Sequence, residues 1–179
     1  MKKLFLFCAV AVLSFGSVFA QDDTKPASDF NIGVTAGFLS VTEKAKAESE
    51  GLSYSQSDSG FYVGFLAEFE LSDKLNLQPE LLYANVAETS LIYVPLQLEY
   101  FVTDKLFLLG GPQATIFLDD VPQGINEFGL DLFFGIGFDI DENFFLEGRY
   151  AFELTNRVNA DLDITDRINS LMIGIGYKF

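Results

Sequence analysis

The sequence contains no histidine and no tryptophan, a single cysteine, and only 11 basic side chains against 26 acidic ones, for a formal charge of −15. Each shortage removes a class of function. Histidine is the usual proton shuttle at neutral pH and a frequent metal ligand, so Ser-His-Asp, Cys-His and His-metal chemistry are absent together. A chain without a clustered Lys/Arg face has no electrostatic footprint for nucleic acid, because phosphate binding works by basic groups that release counterions. One cysteine builds no disulfide framework. Long hydrophobic runs are also missing: the one uninterrupted apolar stretch, Leu4 to Leu13, is too short for a membrane-spanning helix, which needs about 20 residues. What remains is 49% apolar and 21% charged, a composition that argues against disorder, at a length suited to one domain.

That apolar stretch follows Met1-Lys2-Lys3 and precedes Val18-Phe19-Ala20, with small residues at the end of the segment. Basic n-region, apolar h-region and small-residue cleavage site together make a secretory signal, so residues 1–20 are expected to be removed. Cys8 leaves with them, and because two lysines and no acid are lost, the charge moves from −15 to −17. Residues 21–28 read as a short polar leader.

From residue 29 onward the hydrophobic period is two. In Phe61 to Leu71 every odd position is apolar, while the even ones mix Tyr, Gly, Leu and Glu; in Phe128 to Ile140 the even positions are apolar and the odd ones are mostly Gly or Asp. Eight such segments are expected, at 29–42, 60–71, 75–88, 91–102, 105–118, 127–140, 143–154 and 167–179. Three connections, Ser72-Asp73-Lys74, Thr103-Asp104-Lys105 and Asp141-Glu142-Asn143, are tight. They alternate with connections at 43–59, 89–90, 119–126 and 155–166, most of them longer. Short turns at one end, longer loops at the other and an even strand number are the layout of an outer-membrane barrel, in which closure also removes the unpaired edges that hydrocarbon does not tolerate. Both termini are then expected in the periplasm. Aromatic girdles are expected from Phe30, Tyr100, Phe107, Phe144, Tyr177 and Phe179 at the turn end, and from Phe61, Tyr83, Tyr93, Phe117, Phe128 and Phe152 at the other. A soluble, lipocalin-like periplasmic barrel whose 20 Phe fill a core is the rival.

With an export signal, eight long alternating strands, Gly174-Ile175-Gly176 and a terminal Tyr177-Lys178-Phe179, the chain resembles the small bacterial outer-membrane β-barrel proteins, porin-family or PorT-like barrels and the OmpA/OmpX-type membrane domain. The resemblance implies an all-β, eight-stranded antiparallel transmembrane up-and-down β-barrel over residues 29–179 in the Gram-negative outer membrane. It also implies that Tyr177 and Phe179 are the contacts read by the barrel-assembly machinery, and that outer-membrane lipid surrounds the wall. It implies no single activity, and the family's lipid-modifying enzymes rely on the histidine missing here.

If the apolar rows face lipid, Glu68, Glu70, Gln78, Glu80, Gln97, Glu99, Asp131, Glu147, Arg149 and Glu153 face inward. Arg149 is the one basic residue among them. Buried charge is tolerated only when paired, so Arg149 is expected to bridge Glu147, Glu99, Glu80 or Glu68 in an interior network. The rival is a narrow cation-preferring path lined by these acids, although eight strands leave a lumen that side chains nearly fill. Residues 43–59 are polar and Ser-rich and read as a solvated loop that could recognise an extracellular or envelope protein partner. Asp119-Asp120 and the pair Glu147 and Glu153 are the acids nearest to a catalytic dyad. Asp161, Asp163 and Asp166 could loosely bridge divalent ions, but the glycine and bidentate Glu of a calcium loop are missing. The expectation is a noncatalytic barrel without cofactor or resident metal, acting structurally or through its outer loops; the alternative is a transporter passing small cations or a small apolar ligand.

Overall fold

Alternation of large apolar side chains with small or polar ones gives each strand one face for lipid and one for the lumen. In the computed structural model, which describes residues 30–47, 52–119, 121–122, 124–158 and 164–179, this pattern produces eight strands: β1 (Phe30–Ala47), β2 (Leu52–Ser72), β3 (Leu75–Val86), β4 (Thr89–Phe101), β5 (Leu106–Phe117), β6 (Phe128–Asp139), β7 (Phe144–Glu153) and β8 (Ile164–Lys178). Every neighbouring pair is antiparallel, and β1 closes on β8 through a register that includes Gly33 opposite Lys178 and Phe38 opposite Ile173. The expected signal at 1–20, the leader at 21–28, and Asp120, Asp161 and Asp163 lie outside the described residues.

The barrel has two unlike ends. One, the turn end, carries the connections at 73–74, 102–105 and 140–143 together with the start of β1 and the end of β8. In the last of these turns the Asp141 carboxylate accepts the backbone N–H groups of Asn143 and Phe144 at 2.9 and 2.8 Å, which satisfies donors a tight turn would leave free. These two bonds hold its carboxyl below the usual carboxylate range, the Phe144 N–H foremost. The other, the loop end, carries the β1–β2 connection, the connection at 118–127 and that at 154–163. The β3–β4 turn there is as short as expected but lies at 87–88 rather than 89–90, with Ala87 in the left-handed region at φ 52°.

The structure corrects the reading of 43–59 as a loop. β1 and β2 stay paired from Phe38 opposite Phe61 up to Ala47 opposite Leu52, and β8 pairs alongside β1 as far as Ile164 opposite Ala47. The reason lies in backbone pairing, which does not need apolar side chains: the polar stretch keeps its alternation, with Thr42 and Ser57 hydroxyls bonded at 2.9 Å across the ladder. A polar ribbon therefore rises above the apolar band, and the stretch from Ser40 to Ala47 accounts for roughly 25 Å along the strand at about 3.3 Å per residue.

The lipid-facing band runs around the whole wall through residues such as Phe65, Leu81, Leu96, Leu108, Phe134 and Ile173, all exposed. Phe30, Tyr100, Phe144 and Phe179 are exposed at its turn end and Phe61, Tyr83 and Phe128 at its loop end. Three of the expected girdle residues turn the other way. Phe107 and Tyr93 are buried in the lumen and Phe117 packs against a lumen cluster, because each sits one position out of phase with the exposed row of its strand, and a one-residue offset reverses the face.

Candidate functional site

The lumen is filled by layers of side chains. Two apolar clusters divide it: Leu39, Tyr62, Leu82, Leu91, Tyr93 and Met172 with their neighbours toward the loop end, and Leu66, Phe107, Leu109, Phe133 and Phe145 toward the turn end. Glycine makes room for the rings of the second cluster. A Cβ at Gly137 would collide with the Phe107 ring, and one at Gly176 with the Phe145 ring, so small residues on one strand are the seats of large ones on the next.

Arg149 lies between the two clusters, only 2% exposed. Its Nη1 donates to Glu80 at 2.9 Å and to the Gln97 amide oxygen at 3.2 Å, and stands 3.8 Å from Glu147. Above and below, its guanidinium faces the rings of Tyr62 and Phe133 at 5.9 and 5.5 Å, a stacking that suits a planar, weakly hydrated cation. Gln97 uses its amide nitrogen to join Glu99 at 2.9 Å and Glu147 at 3.4 Å. The structure thus brings Glu80, Glu147 and, through Gln97, Glu99 to Arg149.

Glu68 goes elsewhere, bonded to Lys178 and to the Asn31 amide at 3.1 Å. Lys178 also approaches Asp139 at 4.0 Å and the Phe145 ring at 5.2 Å, forming a second charged layer at the turn end. A third sits at the loop end: Arg157, 1% exposed, donates to Glu153 at 2.5 Å, to the carbonyl of Glu127 at 3.2 Å, and lies over the Phe117 ring at 4.6 Å. Glu153 in turn accepts the Ile168 backbone N–H at 2.7 Å. Arg157 therefore ties the connections at 118–127 and 154–163 to the barrel mouth, aided by the isolated bridge between Ile125 and Val158. Asp131 below it is held by Gln113 at 2.9 Å and by Thr115.

Two corrections follow. Arg149 is not the lone interior base, since Arg157 and Lys178 are buried as well. Both were legible in principle, Lys178 by its parity with Gly174 and Gly176, Arg157 by spacing four residues from Glu153. Glu70, expected inside, is exposed, at the turn end of β2, one pair before its register with β3 shifts. Of the acid pairs, Glu147 and Glu153 are bound to different arginines, and Asp119 caps the Ser90 backbone N–H at 2.6 Å. Among the described residues no three His, Cys, Asp or Glu are arranged to hold a metal ion. Tyr177 and Phe179 stand outside the wall at the turn end, edge to face at 5.3 Å, with Phe144 against Tyr177 at 4.8 Å. Open clefts of about 670 and 540 Å³ lie at the two rims, lined by residues such as Asn126, Phe128 and Thr155 at one and Asp104, Lys105 and Asp141 at the other.

A family model described as the outer membrane protein beta-barrel domain matches residues 8–179. Among solved structures, the chain is similar to Neisserial surface protein A, at 18% identity and TM-score 0.52 over 87% of this chain and 100% of that one. It is also similar to OprG from Pseudomonas aeruginosa, at 17% identity and TM-score 0.44 over 86% and 97% of the two chains. A third is Ail, the attachment invasion locus protein of Yersinia pestis, at 14% identity and TM-score 0.47 over 86% and 100%. No curated protein sequence matches the chain.

Proposed function

The chain belongs to the outer membrane protein β-barrel domain family, and on that premise we propose that it is a noncatalytic barrel of the bacterial outer membrane whose lumen is a scaffold and whose contacts with other molecules are made above the membrane. The observation that carries this reading is the filled lumen. Side chains from all eight strands meet in it, and Tyr62, Tyr93, Phe107, Phe133 and Arg149 are at most 2% exposed, which favours a plugged barrel over an open pore. The pore alternative draws on a carboxylate excess, since six buried acids face three buried bases among the described residues. A ring of acids attracts cations only where water reaches it, and the central layer of Glu80, Glu147 and Arg149 lies between two apolar clusters.

The projecting ribbon of β1, β2 and β8 supplies the outward surface. It is polar, rigidly continuous with the wall, and the only paired structure among the described residues to rise well beyond the apolar band. Loops and projections on a rigid scaffold are where binding resides, and a protein partner in the envelope or outside the cell fits such a surface. This orientation puts both termini and the turn end in the periplasm, where Tyr177 and Phe179 face the barrel-assembly machinery before insertion.

Labelling intact cells with a membrane-impermeant maleimide tests the orientation. A Ser57→Cys variant is expected to react on intact cells, and an Asp73→Cys variant only after the outer membrane is opened. The reverse pattern would overturn the proposal.

A further inference from the structure

Beyond the apolar band, β1, β2 and β8 continue as a three-stranded ribbon, and the alternation that separates lipid from lumen in the wall separates its charges as well. The outward row of β1 runs from the exposed Phe38 through Ser40 and Thr42 to Lys44, in phase with Phe30 and Ile32. In β8 the exposed Ile173 and Leu171 lead to Asn169 and Arg167, and in β2 the exposed Phe61 leads to Ser59, Ser57 and Ser55. Register sets these rows side by side. Ser55 stands opposite Lys44, and Lys44 opposite Arg167; two residues nearer the band, Ser57 stands opposite Thr42, and Thr42 opposite Asn169. The acids of this stretch, Glu43 and Asp58, have the other parity, and Asp58 accepts the Gln56 amide at 3.1 Å. The outward face is therefore basic and rich in hydroxyls, in a chain whose acids outnumber its bases 26 to 11.

Like charges directly opposite each other on one face of an antiparallel pair, with Cβ atoms about 4.5–5.5 Å apart, repel and cost stability. Lys44 and Arg167 stand in that relation, both exposed, and neither has an ion-pair partner among the described residues. Arg157, by contrast, is held in the barrel mouth by Glu153. The described outward neighbours of the pair, Ser55, Ser57, Thr42 and Asn169, are all able to donate. Thr42 and Ser57 share one hydrogen bond at 2.9 Å, which leaves one of their two protons for another acceptor. A dianion with several oxygens removes the repulsion and takes these donors together. Height narrows its source. Four residues separate Leu171, the last exposed apolar residue of β8, from Arg167, which is about 13 Å along a strand and roughly 10 Å above the hydrocarbon at a tilt of about 40°. The headgroup layer is about 5–8 Å deep, and long Lys and Arg side chains reach back down to it.

We propose that Lys44, Arg167 and Ser55 form a binding site for the phosphate monoester of a lipid headgroup in the leaflet from which the ribbon rises. The phosphate bridges the two cations and accepts from the Ser55 hydroxyl, and the acyl chains of the same lipid lie against Phe38, Phe61, Leu171 and Ile173 directly beneath, all exposed. A phosphate monoester brings up to two charges and three terminal oxygens to two cations and a hydroxyl; a carboxylate brings one charge and two oxygens. The bound lipid fastens the ribbon to the membrane surface and fixes the angle at which it stands. Which leaflet is engaged rests on the orientation proposed above; the phosphate chemistry does not.

The test uses the full mature chain refolded into phosphatidylcholine nanodiscs doped with increasing dioleoyl phosphatidic acid, read by the backbone amide resonances of Lys44, Ser55 and Arg167. Both leaflets of a nanodisc hold the same lipid, so the result does not depend on orientation, which the maleimide labelling decides by itself. The expected result is a saturable shift at these three positions with phosphatidic acid and a smaller, unsaturated one with oleate at equal surface charge. Lys44→Gln and Arg167→Gln are each expected to weaken the apparent affinity about fivefold, and Lys74→Gln, which removes a cation at the turn end, is expected to leave it unchanged. Heat-dependent gel mobility checks that each variant is folded. Equal responses to oleate and phosphatidic acid, or equal weakening by Lys74→Gln, would reduce the face to general charge attraction and overturn the proposal. Unchanged affinity in the combined Lys44→Gln and Arg167→Gln variant would do the same. Saturation by soluble glycerol phosphate in undoped nanodiscs, at the concentration that saturates with phosphatidic acid, would place the ligand in solution and overturn the headgroup assignment.

Discussion

At the scale of residues, the account rests on Arg149. Its pairing with Glu80 and Glu147 was legible from parity, since a lone base among inward acids has nowhere else to find partners, but its stacking between Tyr62 and Phe133 depends on which residues meet across the lumen, and no single strand encodes that. The same limit hid the pairing of Glu68 with Lys178 and the burial of Phe107 and Tyr93, where one position of phase decides the face. Removing one partner of a buried ion pair leaves an uncompensated charge and costs about 3–5 kcal/mol. Arg149→Met is therefore expected to lower unfolding free energy by about that amount, and adding Glu80→Gln to Arg149→Met is expected to recover part of it. Urea titration followed by the shift between folded and unfolded gel bands measures both. An Arg149→Met barrel as stable as the parent would remove Arg149 from the interior network.

Among elements, the strand count, the three tight turns and most strand bounds could be read from periodicity and turn chemistry. The polar β1–β2 ribbon could not, because serine-rich polarity reads as loop while backbone pairing is indifferent to it. The turn at 140–143 gives a prediction of its own. The backbone N–H bonds to the Asp141 carboxylate lower its folded pKa relative to the unfolded chain, so the stabilisation is present above the unfolded value, near 4, and disappears as pH falls through the lower folded value. A carboxyl ¹³C titration should place the Asp141 midpoint below that of an unstructured peptide carrying the same turn sequence, and Asp141→Asn should abolish the acid-side loss attributable to this turn. A midpoint at or above that of the peptide would contradict the turn geometry.

For the whole molecule, outward apolar rows and sided connections fixed the class of the barrel, while the contents of its lumen decide between scaffold and pore. Six buried acids against three bases would suit a cation path if water reached them, and in the reading proposed above the packing of Phe107, Phe133, Phe145, Tyr62 and Tyr93 around the charged layers keeps it out. Function by this account belongs to the ribbon and rims. The most direct measurement is ion conductance of the refolded mature chain in a planar bilayer, with insertion verified by gel mobility. The account predicts a silent membrane at neutral pH in moderate salt. Reproducible cation-preferring steps from the parent chain, altered in Arg149→Met, would contradict it and make the carboxylate layers a selectivity element.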